Sequence, residues 1–277
     1  VEQGLDGHVF SFFTNQATHV VLQEKEFLCL SPHGQILRTG RKNILSESSL
    51  TATSYLSGIF LSQLTQGHTS LNTFISRNST YTGQFLSQGF RIFIRESENW
   101  NLLDTPTFGV MRLNSFEWVY VWKSLILKIK IESTESNEIN FELNIIKGEE
   151  RDFLLSFHIA LDGDNGISEE SPNIERKASY IHIRPNAKFL LYHRLNGSGF
   201  KIKSDTISEW KISDDRNLFL DMKSRGLPYF TALVRVPSSL KFQISGDLEV
   251  HSDEPPNRIS PPIQIGSLHF NGKKSNI

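Results

Sequence analysis

Trp100, Trp118 and Trp122 lie close together in the sequence, beside Arg91, Arg95, Arg112 and Asn114. Flat aromatic faces stack on the apolar faces of pyranose rings, while Arg and Asn bridge sugar hydroxyls. The grouping therefore suits holding a sugar better than breaking a bond. Against this stands the spacing of Trp118 and Trp122, an even interval that puts both on one face of a core strand. Trp100, within the polar run Glu96-Ser97-Glu98-Asn99-Trp100-Asn101, is then the indole expected at the surface. The polar segment 65–84 is too hydrophilic to fill a core, and because ordering a long loop costs backbone entropy it is expected either to pack on a partner or to remain mobile. It contributes His68, Asn72, Arg77 and Asn78, which with Trp100 make the expected contact surface.

Bond-making signatures are missing. The sequence holds no nucleophile elbow, phosphate-cradling glycine loop or His-Glu-x-x-His pair. His182 and His193 sit in strand-forming sequence with no third ligand at a telling spacing, and read as partly buried strand histidines. Asp162-Gly163-Asp164-Asn165-Gly166 lacks the sixth-position glycine and closing Glu of a calcium loop. Asp214 and Asp215 are adjacent, so on a strand they point apart and read as a solvated turn rather than a glycosidase pair. A mutarotase-like reading needs a His acid and a Glu base, for which His158 or His182 with Glu142 is the available set. Cys29, alone inside Phe27-Leu28-Cys29-Leu30, reads as a small buried hydrophobe. No catalytic residue, metal site or cofactor is expected.

The 277 residues include 20 Phe against 2 Met, a surplus that suits half-buried pleated surfaces. A formal charge of −1 without a basic stripe argues against nucleic acid. No apolar run approaches the roughly 20 residues of a membrane helix, and no signal peptide is seen, so a cytoplasmic location is expected and the sequons at Asn78 and Asn196 are read as accidental. The chain opens without Met, which suggests a piece of something longer.

Placing these residues falls to strands. Leu125, Leu127, Ile129 and Ile131 alternate with polar neighbours, as do Phe141, Leu143 and Ile145, then Phe153, Leu155, Phe157 and Ile159. Period two predicts an antiparallel meander over 117–160, with Leu127, Ile129, Leu143, Leu155 and Phe157 buried. Strand-like runs recur at 9–13, 19–30, 90–95, 180–184, 188–193, 200–203, 218–222, 229–236, 240–244 and 263–270. Segments 40–88 and 161–178 resist this reading, and the prolines of 253–277 suit an edge or linker tail. The fold class expected is all-β: a large antiparallel β-sandwich, residues 1–277 as one domain.

Several blocks carry a resemblance. They are Tyr55-Leu56-Ser57-Gly58-Ile59-Phe60-Leu61-Ser62-Gln63, Gly67-His68-Thr69-Ser70-Leu71-Asn72, Ser76-Arg77-Asn78 and Gln88-Gly89-Phe90-Arg91-Ile92-Phe93-Ile94. Trp100-Asn101-Leu102-Leu103-Asp104-Thr105-Pro106 and Leu113-Asn114-Ser115-Phe116-Glu117-Trp118-Val119-Tyr120 complete the series. Together, over about residues 50–125, they resemble the amino-terminal region of the 1,2-β-oligoglucan phosphorylases, relatives of cellobiose phosphorylase in glycoside hydrolase family 94. The resemblance implies a supersandwich similar to the galactose-mutarotase sandwich, followed in the family by an (α/α)6 barrel that holds the general acid. It implies a non-catalytic module whose partners are a β-glucan or the catalytic (α/α)6 domain, with a homodimer as a further expectation. A free-standing carbohydrate-binding or mutarotase-like protein and a purely structural domain are the alternatives.

Overall fold

The computed structural model describes residues 1–14, 18–28, 33–40, 48–67, 73–75, 89–159, 172–177, 179–188, 198–204, 211–224 and 229–247. The first ten strands are β1 (Glu2–Gln3), β2 (Val9–Phe13), β3 (His19–Leu22), β4 (Gly34–Arg38), β5 (Leu50–Tyr55), β6 (Ile59–Gln66), β7 (Thr73–Ile75), β8 (Phe90–Glu96), β9 (Asn99–Leu102) and β10 (Phe108–Arg112). The next ten are β11 (Ser115–Val121), β12 (Ile126–Ser133), β13 (Glu138–Lys147), β14 (Arg151–His158), β15 (Asn173–Arg176), β16 (Tyr180–Arg184), β17 (Phe200–Lys203), β18 (Lys211–Ser213), β19 (Tyr229–Val236) and β20 (Ser239–Gly246). One short helix, α1 (Gln23–Leu28), separates β3 from β4.

Among the described residues these strands form two antiparallel sheets. The larger runs β1-β2-β3-β10-β11-β12-β13-β20-β17-β16-β15, and the smaller β18-β19-β14-β8-β6-β5-β4, with β7 beside β6 and β9 beside β8. The expected antiparallel sandwich is thus the fold. Its core lies between the sheets, where Leu127, Ile129, Leu143, Leu155 and Phe157 are all fully buried. The phenylalanine surplus is spent there. Phe230, Phe157 and Phe90 stack at 4.5 and 4.4 Å between centroids, and Phe141 stacks on Phe242 at 4.4 Å. Phe90 meets the second pair edge-on, so rings from both sheets interlock in the offset and T-shaped geometries aromatics prefer. Gly89 (φ +66°) enters this core where β6 meets β8; a Cβ there would stand 2.1 Å from the Leu61 carbonyl oxygen.

The outward face of the larger sheet is polar. Glu117, Lys130, Glu142 and Lys241 stand opposite one another on β11, β12, β13 and β20, so the charge alternates across four strands. Glu142 closes on Lys241 at 2.9 Å. Cross-strand pairs of opposite charge are the favourable arrangement at such positions.

The structure departs from expectation in four places. β11, β12 and β13 form a meander, but β14 crosses to the smaller sheet, where it pairs with β8 and β19. There it is covered on both faces: Leu154, Ser156 and His158 are as hidden as Phe153, Leu155 and Phe157, whereas β12 and β13 bury one face only. The run 19–30 ends as a strand at Leu22 and continues as α1, whose Glu26 carboxylate accepts from the His33 backbone N–H at 3.1 Å. Residues 218–222 are not a strand; a 3-10 turn spans Asp215–Leu218, N-capped by Asp214. Segments 40–88 and 161–178, which resist a strand reading, contribute β5, β6 and β7 in the first case and β15 in the second. Cys29, His193, Asp162–Gly166 and the tail 253–277 lie outside the described residues.

Candidate functional site

Trp100 sits on β9 of the β8–β9 hairpin, directly opposite Arg95. The guanidinium of Arg95 lies over the indole, 5.9 Å from the ring centroid, and faces Glu98 at 3.5 Å and Asp152 at 3.8 Å. Trp100 is partly exposed, as expected of an indole outside the core. His68, Asn72, Arg77 and Asn78 lie outside the described residues. Trp118 is fully buried and donates its indole N–H to the Tyr55 carbonyl at 3.0 Å. Trp122 does not share that environment: β11 stops at Val121, and the indole stacks on Tyr120 at 5.4 Å while remaining 42% exposed.

The arginines differ in the same way. Arg112 is exposed and bonds Glu117 at 2.7 Å. Arg91, read from sequence as a group for sugar hydroxyls, is buried instead, and its Nε has no hydrogen-bond partner. Burial pulls its pKa down to about 10 against the opposing pull of Tyr120 and Asp104.

No acid–base pair assembles from His158, His182 and Glu142. His158 is buried on the smaller sheet. His182 and Glu142 share the outward face of the larger sheet but are three strand intervals and two side-chain rows apart, on the order of 20 Å. Each also has another partner. His182 Nε2 lies 2.6 Å from Asp247 Oδ2, and Asp247 also accepts from the Gly199 N–H. Partial burial pushes the Glu142 carboxyl up, yet hydrogen bonds from Lys241 and Asn144 hold it below the usual range. Asp215, expected in a solvated turn, is fully buried and accepts from Ser224, whereas Asp214 is partly exposed and pairs with Arg216.

At one end of the sandwich, edge strand β4 lies over the tips of the β10–β11 and β12–β13 hairpins and leaves a cleft of about 540 Å³. Ile36, Arg38, Thr39, Gly40 and Leu113 line it with Asn114 and the turn Ser133–Glu135. The walls are tied together. Gly40 N–H donates to the Thr134 carbonyl at 2.9 Å, Ser133 N–H to the Asn114 carbonyl at 2.9 Å, and the Gln35 side-chain amide to the Arg112 carbonyl. Of the lining residues only Asn114 belongs to the Trp- and Arg-rich grouping legible in the sequence. The others come from segments that no short motif connects.

A sandwich of this kind has counterparts among known proteins. The family model described as the glycoside phosphorylase supersandwich domain matches residues 1–246. A 1,2-beta-oligoglucan phosphorylase of Listeria innocua serovar 6a is 30% identical over 177 residues, 64% of this chain and 16% of that protein. This chain thus aligns with a small part of that much longer relative. Solved structures that match include a polysaccharide lyase, with TM-score 0.41 at 11% identity, covering 74% of this chain and 33% of that one. A 4-alpha-glucanotransferase from Thermococcus litoralis gives TM-score 0.41 at 12% identity, covering 79% and 42%. With the sheets, their core and the match along 1–246 in agreement, the chain belongs to the glycoside phosphorylase supersandwich domain family.

Proposed function

We propose that this chain is the non-catalytic supersandwich module of a longer β-glucan phosphorylase, one that assembles with a catalytic (α/α)6 domain and helps form its substrate site. The observation that carries this reading is the family match over residues 1–246, together with a relative named for phosphorolysis of 1,2-β-oligoglucan of which the aligned part is only 16%. The polar segment holding His68, Asn72, Arg77 and Asn78, with Trp100 beside Arg95, is the surface we assign to the partner domain or its glucan. Trp100 supports this role because it stands outside the core with a cation already over its ring.

The test is direct. The purified 277-residue chain, given orthophosphate and a 1,2-β-glucan, forms no glucose 1-phosphate, and supplying the catalytic domain restores turnover. Glucose 1-phosphate formed by this chain alone overturns the reading.

A further inference from the structure

The geometry points to a saccharide-binding cleft between β4 and the β10–β11 and β12–β13 hairpin tips, taking one or two glucosyl units, a proposal that rests on the glucan-linked reading above. Its volume, about 540 Å³, falls within the range of small-molecule clefts, about 300–1,000 Å³. Hydrogen bonds from Gly40 to Thr134 and from Ser133 to Asn114 fix its walls, so little ordering is left for a ligand to impose.

The lining selects the ligand class. Arg38 and Glu135 place one charge of each sign in the cleft, so its lining carries no net charge to favour a phosphate or a cation. The Asn114 amide both donates and accepts, while the Thr39, Ser133 and Thr134 hydroxyls brace the walls through bonds to Leu50, Asn114 and Glu138. Each hydroxyl of a neutral sugar likewise donates and accepts. Ile36 and Leu113, 68% and 81% exposed, give an aliphatic lip for the C–H face of a pyranose ring.

The experiment is a calorimetric and NMR titration of the 277-residue chain with β-1,2-linked and β-1,4-linked glucose disaccharides, maltose and inorganic phosphate. Saturable binding of a β-linked disaccharide is expected, with no phosphate binding. Asn114→Ala and Glu135→Gln each weaken it about tenfold, the loss of one net hydrogen bond, while the unfolding midpoint stays put. Binding unchanged in both variants but lost in Trp100→Ala moves the sugar elsewhere and overturns the cleft. Absence of binding by every saccharide also overturns it. Neither result touches the phosphorylase-module reading, which stands or falls on reconstitution with the catalytic domain.

Discussion

Trp100 and Trp118 carry the same side chain into opposite surroundings, and their truncations separate accordingly. Trp118→Ala empties a site enclosed by Phe60 and Phe116 and removes the bond to the Tyr55 carbonyl, so it lowers unfolding stability by about 3–5 kcal/mol in urea titration. Trp100→Ala removes one exposed cation–π contact and costs about 0.5–1 kcal/mol in the same measurement. Tyr120 supplies a pH dependence. Burial raises its pKa well above the ordinary value of 10.0, with Arg91 pulling the other way and Asp104 adding to the rise. The phenol is protonated in both states below pH 10, so its contribution is intact there. Above pH 10 the unfolded chain ionises it while the folded protein does not, so its own contribution falls by about 1.4 kcal/mol per pH unit, against a rise of similar size from Arg91, which loses its proton near pH 10 in the folded protein and keeps it in the unfolded chain. Tyr120→Phe, which gives up the bond to the Asp104 carbonyl, removes the falling contribution, so stability in unfolding curves measured from pH 9 to 11 shifts upward with pH relative to the parent protein. Even spacing revealed the face of Trp118 but not the end of β11, so the fate of Trp122 was invisible to it. Burial of Arg91 was equally invisible, because a charged residue in a strand ordinarily faces water.

Strands that bury one face were the elements legible in the sequence. β12 and β13 follow their alternation residue by residue, since a slip of one would turn the whole apolar set outward. β14 shows the same alternation, yet Ser156 and His158 are buried too, and periodicity cannot say that a second layer covers a strand. α1 escaped notice for a different reason: six residues are too few to show a helical period. The cleft was illegible because its walls come from β4 and two hairpin tips far apart in the chain. The charge ladder on the outward face gives a prediction at this scale. Glu142→Lys sets a cation between Lys130 and Lys241 and lowers stability by about 0.5–1 kcal/mol. Lys241→Glu added to it recovers most of that loss, and both effects shrink in 1 M salt. An additive double variant contradicts the pairing.

Across the whole molecule, the order of strands in space is far from their order in sequence. β13 pairs with β12 on one side but waits for β20 on the other, and β14 depends on β19 in the same way. A chain ending before Tyr229 therefore leaves Phe141 and Phe157 without Phe242 and Phe230, losing β20 from the middle of the larger sheet and the strand that joins β18 to β14 in the smaller. Such a truncation is expected to give aggregated material without a cooperative unfolding transition; a soluble, two-state truncated domain contradicts this. The late closure has a consequence during synthesis. Nascent chain emerging from a ribosome displays β10 to β14, rich in aromatic and branched side chains, long before the strands that sheathe them exist. Distant pairings of this kind fold slowly, and unpaired edges are what invite association between molecules. Yield in a cell is then set by how quickly translation reaches the final hairpin and by what shields the waiting sheets, a kinetic exposure that stability measured on the finished protein does not report.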